Sequence, residues 1–120
     1  MRDYKNIKAY QLADNLVIEV YKATKSFPRE ETYGLISQLR RAAVSVPTNI
    51  AEGASRQHTK DYAHFLYIAR GSLVETEYLL CLSNKLGYLS DLSFGIIDNL
   101  RKNAAKTLFG LIEAVTSQIH

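Results

Sequence analysis

The 120-residue chain has no tryptophan, one cysteine, two prolines and six glycines. A single cysteine excludes an intrachain disulfide, so the fold must rest on packing alone. Cys81 has no histidine beside it in sequence, and reads as a small packing residue rather than a reactive thiol. No apolar run is long enough to cross a bilayer, and Arg2, Asp3 and Lys5 precede a segment too polar for a signal-peptide core. The expectation is a cytoplasmic protein with no membrane role. A P-loop, a dinucleotide fingerprint and a Ser/His/Asp pattern are all missing. Gly34, Gly53, Gly71 and Gly87 stand alone and read as helix ends or close contacts.

What is present is helical periodicity. With 47% apolar residues, the length suits one domain with one core, spanning residues 1–120. Apolar residues recurring at three and four predict helices over about residues 7–25, 31–55, 59–86 and 90–118. The first buries Tyr10, Ala13, Leu16, Val17, Val20 and Thr24, until Ser26, Phe27 and Pro28 interrupt it. Glu30 and Glu31 suit the positive end of the second helix. Pro47 lies inside that helix and is expected to kink it, not break it, because the stripe Leu35, Leu39, Ala42, Val46, Ile50 and Gly53 stays in phase. Thr59 is the expected N-cap of the third helix, Gly87 its C-terminal cap, and Ser90 the N-cap of the fourth. The third seam is Tyr62, Phe65, Leu66, Ala69, Leu73, Thr76, Leu80 and Ser83; the fourth is Ile97, Leu100, Ala104, Leu108, Leu111 and Val115. Four helices with short links predict an all-α, antiparallel up-down-up-down four-helix bundle.

The backs of the second and third helices lack the charge a solvated face normally carries. Ser37, Val44 and Ala51 lie opposite the second seam with Arg40 as their only charged neighbour, and Tyr67, Gly71, Val74 and Tyr78, with Leu82 beside them, lie opposite the third. A joint uncharged surface of that extent marks a protein contact unless loops or termini cover it. These seven residues are therefore the candidate subunit interface of a homo-oligomer. Alongside runs a polar flank of Gln38, Arg41, Ser45, Asn49 and Glu52, which is either solvated or bonded to a neighbouring helix. If it is covered, its charges must be paired. The expected network joins Arg41 or Arg70 to Glu52, Glu75 or Glu77, and Glu52→Gln should then destabilise more than a surface change.

The first and fourth helices carry most of the remaining charge and are expected to face water. Lys22, Lys25, Arg101, Lys102 and Lys106 are the candidate phosphate contacts for nucleic acid, although Asp98 and Lys102 also suit an ordinary i,i+4 pair. The formal charge is only +3, so oligomerisation would be needed to build a strong field. Catalytic sets are poor. His58, Asp61 and His64 share one side of the third helix, but a di-metal bundle needs Glu-x-x-His on two helices with further carboxylates. Glu75 and Glu77 are two apart and diverge on a helix, so they are no carboxylate pair. No enzyme, metal or cofactor is expected.

Taken together, Phe27-Pro28, Glu31, Tyr33-Gly34-Leu35, Gln38-Leu39-Arg40-Arg41-Ala42, Ser45-Val46-Pro47, Asn49-Ile50-Ala51-Glu52-Gly53, Phe65-Leu66, Ile68-Ala69-Arg70-Gly71-Ser72-Leu73, Glu75 and Glu77 carry a resemblance. The chain resembles the bacterial four-helix bundle family encoded in part by intervening sequences inside 23S ribosomal RNA genes, which has relatives among accessory variability proteins of diversity-generating retroelements. Asn49 to Gly53 is the most specific block, and the last helix matches only in its apolar pattern. The resemblance implies a protomer that closes into a ring, a homopentamer, with RNA or DNA on a positive surface and, for the retroelement relatives, contact with a reverse transcriptase. It implies no enzyme activity. A self-assembling structural protein without any nucleic-acid role is the alternative, and a metal-dependent enzyme using His58, Asp61 and His64 is a third reading.

Overall fold

The computed structural model describes residues 2–119, which form four α-helices and, among the described residues, no strand. The helices are α1 (Lys8–Thr24), α2 (Leu35–Ala54), α3 (Thr59–Lys85) and α4 (Asp91–Thr116), with two short 3-10 turns at Tyr4–Asn6 and Arg29–Glu31. Each packs on two others: α1 on α2 and α4, α3 on α2 and α4. Side-chain contacts fix the directions. Ser45 meets Ser72 and Gly53 lies against Phe65, so position rises along α2 as it falls along α3. Glu77 reaches Arg101 and Asn84 reaches Asp91, which sets α4 antiparallel to α3 in the same way.

One continuous core fills the bundle. All six residues of the α2 stripe are buried, joined by Ala43, Pro47 and Ala54. Pro47 is absorbed without breaking the helix. On α1 the buried set is Ala9, Ala13, Leu16, Val20 and Thr24, with Tyr10 and Val17 half-buried at its edge. The α3 seam holds except that Phe65 is half-buried, and Ala63 and Leu79 join it. The buried hydroxyls of Thr24, Thr76 and Ser83 each donate to the carbonyl four residues earlier, at 2.8, 2.8 and 2.7 Å, which removes the desolvation penalty they would otherwise carry. In α4 Ile97, Ala104, Leu108 and Val115 are buried as expected, but Arg101 and Ile112 are buried in place of Leu100 and Leu111, which sit at the margin.

The helix ends show why the chain turns where it does. α2 begins at Leu35, later than the periodicity suggests, because Arg29–Glu31 first winds as a separate 3-10 turn. Glu31 then bridges the gap. One of its carboxylate oxygens accepts from the Leu35 N–H at 3.2 Å, and the other from the Tyr88 hydroxyl at 3.1 Å. This ties the start of α2 to the α3–α4 connection, where the Tyr88 ring also leans on Phe27. α3 starts one residue earlier than expected in capping terms: His58, not Thr59, occupies the N-cap and offers no side-chain bond. Just past its end at Lys85 stands Gly87, whose φ of +81° lets the Tyr88 and Gly87 N–H groups close back on the Ser83 and Asn84 carbonyls. Ser90 caps α4 through its hydroxyl, which accepts from the Ser93 N–H at 3.1 Å. At Gly53 a glycine is required by packing, since a Cβ there would lie 2.8 Å from the Phe65 Cβ.

Candidate functional site

The outer surface of α2 and α3 is open. Val44 is 36% exposed, Tyr67 44%, Val74 62% and Tyr78 63%, with Gly71 exposed among them. Ser37 and Ala51 are half-buried. The N-terminal turn approaches Ala51, and Tyr4, Tyr10, Pro47 and Ala51 line a small recess there. It does not reach the α3 ridge. A groove of about 680 Å³ follows the back of α2 between Tyr21, Tyr33, Arg40, Arg41, Val44 and Asn49. Arg40 is fixed in its wall: its Nε donates to the Thr24 hydroxyl at 2.8 Å, and its guanidinium lies 4.4 Å from the Tyr21 ring centre. Arg41 makes no ion pair or hydrogen bond among the described residues.

The polar flank differs from the expected network. Its cross-helix contact is neutral: the Ser45 and Ser72 hydroxyls meet at 2.8 Å, and the Asn49 amide donates to the Ser45 carbonyl and hydroxyl at 2.7 and 2.9 Å. Arg41 and Arg70 do not pair with Glu52, Glu75 or Glu77. Glu52 instead bonds Arg56 one turn on at 3.1 Å, both exposed, as an i,i+4 pair on one helix face. Glu77 reaches the other way, to Arg101 on α4 at 3.3 Å. Arg70 stacks over its own Tyr67 at 4.9 Å, Glu75 is exposed without an ion pair, and Gln38 is exposed.

Arg101 is the main correction to the phosphate candidates. It is only 8% exposed, and its Nε donates to Asp98 at 2.7 Å, so its charge is neutralised inside the protomer by Asp98 and Glu77. A sequence signal was available. Ile97, Arg101, Ala104 and Leu108 recur at four, three and four, which sets Arg101 on the core seam with an acid three residues before it. Of the candidate lysines, Lys22 pairs with Glu19 at 3.3 Å and Lys102 with Asp98 at 3.7 Å, leaving Lys25 and Lys106 exposed without ion pairs among the described residues. Lys22 borders a shallow groove with Ser93 and Ile96, whereas Lys102 and Lys106 lie farther along α4. The outer side of α1 and α4 is also less polar than expected: Ile18, Leu92, Ile96 and Phe109 are all exposed on it.

No catalytic arrangement emerges from these contacts. His58, Asp61 and His64 are exposed, and no group of three possible ligands among the described residues could hold a metal ion. No helix among them is long and apolar enough to cross a membrane. The described chain is thus a four-helix bundle whose distinctive surface is the open back of α2 and α3. The protein belongs to the 23S rRNA-intervening sequence protein family, whose pattern it matches over residues 5–110. No curated protein matches it. A solved structure from Bacteroides thetaiotaomicron, described as a protein of unknown function from the S23 ribosomal protein family, is 23% identical with a TM-score of 0.78. The match covers 87% of this chain and 97% of that one, and it establishes the shared fold.

Proposed function

We propose that the protein is a non-enzymatic scaffold that works by assembling with itself, the back of α2 and α3 on each protomer being covered by another copy. The observation that carries this reading is the exposure of Val44 on the back of α2 and of Tyr67, Val74 and Tyr78 on the back of α3. Such a patch is costly to leave in water and is normally covered. The resemblance implies a ring of five copies, and the cytoplasmic setting is the expectation from the sequence's lack of a bilayer-spanning run. Size-exclusion chromatography with light scattering tests it, read at protein and nucleic-acid wavelengths together. The expected result is a particle several times the 13.5 kDa protomer; a single protomer at all concentrations refutes self-assembly.

Nucleic-acid binding is the weaker part of the reading. With Arg101 neutralised and Lys22 and Lys102 paired, the outer surface offers Lys25 and Lys106 as its unpaired candidates. That favours the alternative of a purely structural assembly, the basic residues serving solubility. If RNA or DNA is bound, the contacts are to phosphate and insensitive to sequence. Filter binding across a salt series separates the two: phosphate recognition weakens steeply as salt rises, and the structural reading predicts no retention even at low salt.

A further inference from the structure

The groove along the back of α2 holds two arginines and no acid. Its walls run through Tyr21, Tyr33, Ile36, Arg40, Arg41 and Val44, and among the described residues neither an aspartate nor a glutamate lines it. Elsewhere the fold neutralises arginines inside the protomer: Arg56 by Glu52, and Arg101 by Asp98 and Glu77. Arg40 is held differently. Its Nε and Nη2 donate along one edge of the guanidinium to neutral oxygens, the Thr24 hydroxyl at 2.8 Å and the Tyr21 carbonyl at 3.3 Å, while the group lies over the Tyr21 ring. These contacts fix the guanidinium without cancelling its charge. Its other edge, Nη1 with the second N–H of Nη2, has no partner among the described residues, and such an edge is a fork for two oxygens of one anion. Arg41, the next residue, is exposed and makes no hydrogen bond or ion pair among them.

We propose that this groove binds a small organic oxyanion carried on a flat apolar ring, an aromatic carboxylate or an aromatic phosphate ester. Arg40 and Arg41 take the anion, and Tyr33, Ile36 and Val44 take the ring. Tyr33 is 96% exposed at the groove, so apolar surface lies uncovered beside the two cations. The groove's volume of about 680 Å³ suits a small ligand, for which pockets run to about 300–1,000 Å³. A neutral ring would strip water from the arginines without replacing it, and a bare inorganic ion would leave the apolar walls wet; the ligand needs both parts. The walls come from α1, the α1–α2 connection and α2, which makes the site complete within one protomer. It goes beyond the self-assembly reading: Ser37 and Val44 border it, but both arginines and both tyrosines lie outside the proposed subunit contact.

Saturation-transfer NMR titrations on the full chain test the site, with phenyl phosphate and benzoate as probes and phenol as the ring without its charge. At least one of the two anions should bind about tenfold more tightly than phenol, and the one that does separates phosphate from carboxylate recognition. Arg41→Gln should weaken that binding about tenfold and Arg40→Gln at least as much, while Arg70→Gln, outside the groove, should leave it within about twofold of the parent. Arg41 bonds to nothing among the described residues, so its replacement should leave the fold intact, as circular dichroism checks; that variant decides alone if Arg40→Gln unfolds the chain. Anions that bind no better than phenol overturn the site. So does an affinity that Arg41→Gln leaves unchanged, or one that Arg70→Gln lowers equally. A monomeric chain that binds as expected refutes self-assembly and leaves this site standing.

Discussion

Replacing Arg101 with Met removes the charge that holds Asp98 in the α3–α4 seam. The Arg101 side chain is 10% exposed and Asp98 14%, so once the guanidinium is gone Asp98 keeps its charge in a poorly hydrated place. Losing one partner of a buried pair costs about 3–5 kcal/mol. Here the lower end applies, because Lys102 remains 3.7 Å from Asp98 and Glu77 is half in solvent. A loss of about 3 kcal/mol in a domain of this size lowers Tm by roughly 10 °C. Thermal and urea unfolding of the full chain measure it, with Asp98→Leu added as the second arm of a double-mutant cycle. The pair of substitutions should regain much of the loss, since an apolar seam of similar volume needs no compensating charge. A single variant melting within about 2 °C of the parent would refute the reasoning, as it would show that Asp98 is hydrated without its arginine.

Glu52→Gln should change stability by no more than about 0.5 kcal/mol, since its ion pair among the described residues is the exposed one with Arg56; urea denaturation reads this directly. Gly53→Ala should cost about 1–3 kcal/mol in the same assay, because the new methyl meets Phe65 and Tyr62. Gly71→Ala should do the opposite to the isolated protomer, raising its stability by up to about 1 kcal/mol through helix propensity while weakening assembly. The Tyr88 phenol is held above its ordinary pKa, first by its hydrogen bond to Glu31. A raised folded pKa means stability that is full below the unfolded value near 10 and is lost as pH climbs through the folded one. Tyr88→Phe should therefore reduce the fall of Tm in the alkaline range, measured by scanning calorimetry.

The core of α1, α2 and α3 was legible because each stripe repeats without interruption over several turns. In α2 the period survives even Pro47, and every residue of the stripe is buried. In α4 Ile97, Ala104, Leu108 and Val115 were legible, and Arg101 was missed because its charge outweighed its seam position. Ion pairs were the least legible feature. The expected network failed on direction: Glu52 takes the i,i+4 neighbour, and Glu77 lies on the α4 side of α3, away from α2. The open ridge on α3 was legible from the absence of charge at Tyr67, Gly71, Val74 and Tyr78. The apolar residues on the outside of α1 and α4 were not, because Lys and Asp between them read as a solvated face.

Whether a sister copy covers the back of α2 and α3 is tested most directly by hydroxyl-radical footprinting of nucleic-acid-free protein across a dilution series. Tyr67 and Tyr78 should react slowly in concentrated solution and faster as the assembly dissociates, while Phe109, exposed on α4, stays reactive throughout. Equal reactivity of Tyr67, Tyr78 and Phe109 at every concentration would contradict the account.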